Sequence, residues 1–332
     1  MTLIPADLFR EAAATGFQAE PLEKAIRLLE LLEALRSHPF LKARIALKGG
    51  TALNLFHFDV PRLSVDIDLN YIGAADRETM LAERPKIEQA VQAVCGRLGI
   101  QIKRSPRDHA GGKWRLSYTT VLGRPGTLEL DLNFMLRTPL WPIMVMDSRP
   151  VGSFSAAQIP VLDLHELAAG KVAASLARTA SRDLFDVRAV LSQKSLDRAK
   201  LRLGFVVYGG INRKDWRRVS IEELQVDSDE VDRTLLPLLR ADLAPPRSRI
   251  ADWTRQLVAD CRDLFSVVLP LATNEREFIE RLNEYGEIVP ELLTDEPALR
   301  EIIREHPGLK WKAQNVREHR GLAGEASPPK LD

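Results

Sequence analysis

Two aspartates placed two residues apart in an otherwise apolar segment, Val65-Asp66-Ile67-Asp68-Leu69, limit what this chain can become more than any other feature. Residues i and i+2 of a strand project to one face. Val65, Ile67 and Leu69 then fill the opposite face, and a slip of one residue would bury both charges, so the register is pinned. The two carboxylates stand close enough to repel, and a bound hard divalent cation is the cheapest means of keeping both ionised. Oxygen donors of this kind suit Mg²⁺, with Mn²⁺ as the alternative.

A glycine turn precedes the strand: Lys48-Gly49-Gly50-Thr51, followed by the apolar run Ala52 to Phe58. Glycine lets backbone approach a ligand closely. Thr51 is a good N-cap for the helix this run suggests, and a helix N-terminus attracts phosphate. The stretch from Leu47 to Tyr71 therefore offers a metal-binding pair, Asp66 and Asp68, together with a triphosphate cradle. Lys48, Gly49, Gly50, Thr51, Arg62 and Ser64 are its candidate nucleotide contacts. A glycine turn or an isolated D-x-D means little alone; their order within one segment carries the reading.

The runs K-G-G-T-A-L-N-L and R-L-S-V-D-I-D-L resemble the AbiEii-like nucleotidyltransferases, the toxin halves of bicistronic toxin–antitoxin and phage-defence systems, within the polymerase-β-type superfamily. The resemblance is strongest from Leu47 to Leu69 and from Leu162 to Val190. It implies an α+β fold: a polymerase-β-type core with a mixed β-sheet flanked by helices, plus a mainly helical C-terminal domain. It also implies a nucleoside triphosphate substrate, Mg²⁺, an acceptor that is RNA (tRNA) in at least some members, and a cognate antitoxin as partner; transfer to a protein hydroxyl, or a non-catalytic nucleotide- or partner-binding module, are the alternatives.

Period-two patterning fills residues 100–104, 113–122 and 126–136, with turns at His109 to Gly112 and Gly123 to Gly126, which predicts a β-meander. Its last strand alternates Leu128, Leu130 and Leu132 with Glu129, Asp131 and Asn133. In the superfamily a third metal carboxylate comes from a later strand beside the D-x-D strand, and Asp131 is the candidate. The alternative is a solvated face of an antiparallel sheet.

The second window, residues 162–191, resembles the family's E-L-x-x-x-K helix and the R-D-x-x-D helix after it. Lys171 matches the lysine, although Gly170 stands where the family commonly has an acidic residue. Amid Leu167, Ala168, Val172 and Ala173 it is placed to reach along an apolar stem to the nucleotide phosphates. Asp183 and Asp186 match the acidic pair, and the resemblance puts one of them in the active site as base or acceptor-positioning group. The plainer alternative is a helix cap and an Arg182–Asp186 surface pair.

A chain of 332 residues suffices for two cores. We expect a core with N-terminal helices over residues 1–155, a helical domain completing the cleft over 156–320, and a disordered tail over 321–332. The formal net charge of +1 excludes a globally basic nucleic-acid binder, so any such contact must be a local patch. Arg213, Lys214, Arg217 and Arg218 around Trp216 form the best candidate, with the tryptophan as a stacking platform; a solvated charged loop is the alternative. Cys95 and Cys261, with no metal-ligand spacing, fit buried thiols of a reducing compartment. No apolar run approaches membrane-spanning length and the N-terminus does not read as a signal peptide, so a cytoplasmic protein without membrane contact is expected.

Overall fold

The structure is a computed structural model that describes residues 3–106, 111–178 and 180–321. Two helices open the chain, α1 (Pro5–Thr15) and α2 (Ala19–Ser37). The apolar period of α2 buries Leu22, Ile26, Leu29, Leu32 and Leu35 completely or nearly so.

Seven strands then make one mixed sheet: β1 (Ile45–Lys48), β2 (Asp66–Tyr71), β3 (Gln101–Arg104), β4 (Gly111–Thr119), β5 (Pro125–Asn133), β6 (Met144–Met146) and β7 (Ile159–Val161). Their spatial order is β3-β4-β5-β2-β1-β7-β6. The meander β3-β4-β5 is antiparallel, as its turn-separated alternation predicts, but β5 runs parallel to β2, so the D-x-D strand lies at the centre. Residues 109 and 110 of the predicted first turn lie outside the described residues, whereas Gly111 and Gly112 already belong to β4. The seventh strand comes after residue 155, so the sheet draws on both lengths of chain that the sequence divides.

Between β1 and β2 the chain makes a short helix, α3 (Gly49–Ala52), that runs on as a π-helical turn, Leu53–His57. After β2 comes α4 (Arg77–Arg97), whose start is set by the Asp76 carboxylate accepting from the Thr79 N–H at 2.7 Å. Ile67, Leu69, Leu130 and Leu132 are buried on one sheet face, and α2 and α4 pack against the sheet. Asp66, Asp68, Glu129 and Asp131 occupy the other face.

The remainder is helical. α5 (Leu164–Ala177) and α6 (Ser181–Leu191) come down beside the acidic face of β2. α7 (Arg198–Ile211) packs on α5, and α9 (Ile250–Leu264) packs on α6. α8 (Ser228–Glu230), α10 (Thr273–Glu280), α11 (Pro297–Glu305) and α12 (Pro307–Arg320) complete the fold. Both cysteines are buried and unpaired, and burial pushes their thiols up, Cys95 to about 11 and Cys261 to about 12. Residues 322–332 of the predicted tail lie outside the described residues. No described helix is long and apolar enough to cross a membrane.

Candidate active site

Strand register builds the site. On the exposed face of the sheet Lys48 of β1 stands opposite Asp68 of β2, Asp68 opposite Asp131 of β5, and Asp131 opposite Lys113 of β4. In the adjacent row Asp66 is opposite Glu129, and Glu129 is opposite Arg115. Neighbouring strands are about 4.8 Å apart, so these carboxylates lie side by side. Burial first, and then the charge of Asp68 and Glu129, raise the carboxyl groups of Asp66 and Asp131 above the usual range. Arg182 Nη1 partly offsets this at Asp66, 3.4 Å from Oδ2. Asp68 and Asp131 have no side-chain ion pair among the described residues.

Charges of one sign left unpaired on a half-buried face call for a cation. No three acidic, histidine or cysteine side chains among the described residues close into a metal cage. That fits a small hard dication, which is bound through one or two carboxylates and completes its shell with water and substrate phosphate.

The glycine turn has a different role from the one expected. The helix begins at Gly49 with Lys48 as its uncapped N-cap residue, so Thr51 does not cap it. Thr51 is instead fully buried, its hydroxyl donating to the Asp66 carbonyl at 2.5 Å and lying 2.8 Å from Ser64 Oγ. It fastens the turn to the D-x-D strand. Gly49 has φ +74°, and a Cβ there would lie 2.1 Å from Asp68 Oδ2; at Gly50 a Cβ would lie 2.9 Å from Arg62 Nη2. The two glycines make room for charged side chains of the site itself.

Behind the acidic face lies a closed network. Arg62 is buried and grips Asp186 with Nε at 2.8 Å and Nη2 at 2.6 Å. Asn54 Nδ2 donates to the same carboxylate at 2.9 Å, and Lys171 Nζ stands 2.9 Å from both Asp186 and Asp183. Arg178 Nε completes the set at 2.7 Å from Asp183.

These partners show where each expected site residue stands. Asp186 is wholly buried and its two oxygens are held by Arg62, Asn54 and Lys171. Burial alone would raise its pKa, but Arg62 and Lys171 outweigh that and lower it. Asp183 borders the cleft, and against its burial Lys171 and Arg178 hold its carboxyl below the usual carboxylate range. Lys171 is 9% exposed with its ammonium committed to both aspartates, and so is not a free phosphate ligand. Arg62 is likewise committed, and Ser64 is held by Thr51. The surface pair between Arg182 and Asp186 does not form, because Arg182 turns to Asp66.

The open space between face and network is a cleft of about 220 Å³. Its accessible cations were not singled out from the sequence: Lys113, whose Nζ lies 2.9 Å from Glu129 Oε2, with Arg178 and Arg182. Arg178 is 67% and Arg182 39% exposed, so both can re-aim at a ligand. Arg182 is the arginine of the R-D-x-x-D motif and Arg178 stands just past the end of α5, but nothing local marked Lys113.

The basic loop lies elsewhere and does not form the expected platform. Trp216 is fully buried against Phe205, ring centroids 5.3 Å apart, because Gly209 leaves space for the indole, so it cannot stack on a base. Arg217 pairs with Asp215 and Glu284, Lys214 with Glu223, and Arg218 reaches Asp215 at 3.7 Å. Arg213 is exposed, but the segment as a whole is largely neutralised.

A mixed sheet carrying this acidic face, with helices closing one side, has the α+β fold of a nucleotidyltransferase. The structure is similar to MenT4, the nucleotidyltransferase toxin of Mycobacterium tuberculosis H37Rv, with a TM-score of 0.61 at 19% identity, covering 95% of this chain and 99% of that one. The sequence model of the nucleotidyl transferase AbiEii toxins of type IV toxin–antitoxin systems matches residues 30–314, and the chain belongs to that family. It is a nucleotidyltransferase, of a family whose members use a nucleoside triphosphate and a divalent metal. No curated protein matches the sequence.

Proposed function

We propose that this toxin transfers a nucleotide from a nucleoside triphosphate, with Mg²⁺, to the 3′ end of an RNA, tRNA being the favoured acceptor. The observation that carries this reading is the row Asp68–Asp131, without an ion pair among the described residues, beside Asp66, with Lys113 on the same sheet face and Arg178 and Arg182 across one cleft. Asp66 and Asp68 would hold Mg²⁺, with Asp131 beside Asp68 adding to the negative field, and the ion would supply charge neutralisation on the triphosphate and acidify the attacking hydroxyl. Arg178, Arg182 and Lys113 bind the triphosphate oxygens, while the Gly49-Gly50 backbone shapes the floor of the cleft. The acceptor hydroxyl gives its proton to bulk solvent, its oxygen bonds to the α-phosphorus, and the bond from that phosphorus to the bridging oxygen breaks so that pyrophosphate leaves. The chain contributes positioning and charge stabilisation. Lys171, Asp183 and Asp186 set the wall of the cleft and act through the residues they hold.

Incubating the protein with each labelled nucleoside triphosphate, total tRNA and Mg²⁺ or Mn²⁺ tests this. Label that is destroyed by RNase and lost on periodate treatment of the tRNA 3′ end supports it. Label that stays on polypeptide after RNase makes a protein hydroxyl the acceptor instead, and no transfer with either metal overturns the reading.

A further inference from the structure

The sheet face that carries the carboxylates does not end with them. Beyond Asp66 and Glu129 the same row continues to Arg115 of β4 and Arg104 of β3, and beyond Asp131 the neighbouring row ends on Lys113. Charge thus changes sign across one face, from acidic at β2 and β5 to basic at β4 and β3. The register of β3 against β4 shifts between Ile102 and Arg104, a bulge that sets Lys103 and Arg104 together against Arg115. β3 is the edge of the sheet, and both of its cations are exposed.

These side chains border a groove of about 770 Å³ lined by Lys103, Arg104, Lys113, Arg115 and Glu129. Lys113 and Glu129 also line the catalytic cleft, so the groove and the cleft are continuous. Among the described residues Lys103 and Arg104 form no ion pair, Lys103 bonding only to the neutral Gln101. Among the same residues Arg115 comes no nearer to a carboxylate than 4.0 Å, from Glu129.

We propose that this β3–β4 groove is the track for a single-stranded RNA 3′ end, its backbone phosphates on Lys103, Arg104 and Arg115 and its terminal hydroxyl delivered past Lys113 to the acidic centre. This rests on the RNA-acceptor reading above. The sign change is what such a substrate needs: three strand spacings, about 14 Å, separate the metal-binding strand from the basic edge, so the terminal nucleotide meets the carboxylates while the phosphates behind it meet cations. An acidic protein surface would also meet the cations, but it has no reason to be led into the cleft.

The test is binding of a fluorescently labelled short single-stranded RNA with a free 3′ hydroxyl to the whole chain, over a range of salt, with Lys103→Glu/Arg104→Glu as the variant. Tighter binding by wild type, weakened tenfold or more in the variant, is expected. The slope of log affinity against log salt should fall by about 1.4, at about 0.7 for each single-strand phosphate that the two side chains no longer neutralise. Nucleoside triphosphate binding and thermal midpoint should not change. Equal RNA binding by variant and wild type, or no RNA binding by wild type, overturns the proposal; the first result would hand the groove to an acidic protein partner. RNA that binds through the groove yet receives no nucleotide upholds the track and defeats the acceptor reading instead.

Discussion

Two clusters of charge lie back to back in this protein and are built on opposite plans. In the network of Arg62, Asp186, Lys171 and Asp183 each carboxylate has cationic partners within 3 Å, and both aspartates are held more acidic than usual. On the sheet face, Asp68 and Asp131 lack such partners among the described residues and Asp66 has one arginine at 3.4 Å, and burial makes Asp66 and Asp131 less acidic than usual. A buried ion network satisfied from within holds a shape. A row of carboxylates left short of positive charge keeps its binding capacity for something that arrives. Motif matching alone puts both clusters under one label, and their partners separate them.

The sharpest way to break this contrast is to neutralise one member of each. Asp68→Asn should lower nucleotide transfer at least about 10³-fold, roughly 4 kcal/mol of transition-state stabilisation, with no loss of thermal midpoint. Steady-state transfer and a melting curve check both halves, and an active Asp68→Asn variant would remove the metal assignment.

Asp186→Ala should do the reverse in kind. It strands the buried Arg62 and Lys171 charges, a loss of about 3 kcal/mol or more in denaturant unfolding. Its activity falls because the wall of the cleft loosens. Normal stability in that variant would mean that the network is dispensable and that Asp186 works at the substrate.

The core of the fold was legible because its signals are local. Alternation of Leu128, Leu130 and Leu132 with polar residues marks a half-buried strand, Asp76 marks a helix start, and D-x-D fixes which face of β2 is polar. The division of labour between Asp183 and Asp186 was not legible. They sit three residues apart on one helix, and the depth of Asp186 is set by Arg62, 124 positions away in the chain. Trp216 misled for a related reason. Its neighbours in sequence are cations, but its neighbour in space is the open Cα of Gly209. Lys113 and Arg115 looked like the ordinary solvent face of a strand until the β4–β5 register set them beside Asp131 and Glu129.

Gly49→Ala probes the seam between the two clusters and should have an intermediate effect. The added methyl meets Asp68 Oδ2 at a backbone φ of +74°, so both strain and displacement follow. About 1–3 kcal/mol of stability and about 10- to 100-fold in transfer should be lost, more than for Lys48→Ala, where no packing is disturbed. Equal effects at the two positions would show that Asp68 need not rest against the turn.

The smallest effect, and the one that most directly contrasts the clusters, is the pH dependence of stability. Asp183 and Asp186 have folded-state pKa values below their unfolded value of about 3.9. Their stabilisation is fully present above that value and is lost as pH falls through the folded pKa, which for Asp183 is about 2. Asp66 and Asp131 are raised in the folded state, so their contribution has the opposite sign. It favours folding below about pH 3.9 and is lost as pH rises through the folded values, which leaves the ionised pair a cost at neutrality. Asp66→Asn/Asp131→Asn should therefore raise the thermal midpoint at pH 7 by about 1–2 °C, solvent screening keeping the gain small, and the gain should vanish near pH 4. Asp183→Asn should lower the midpoint at pH 7, with the difference closing only as the pH approaches 2. Mg²⁺ added at pH 7 should raise the midpoint of wild type far more than that of the double variant, which keeps Asp68 but has lost the carboxylates on either side of it. Midpoints that move in the same direction for both sets of variants across this range would show that the two clusters are one, and that the row on β2 and β5 is as fully paired as the network behind it.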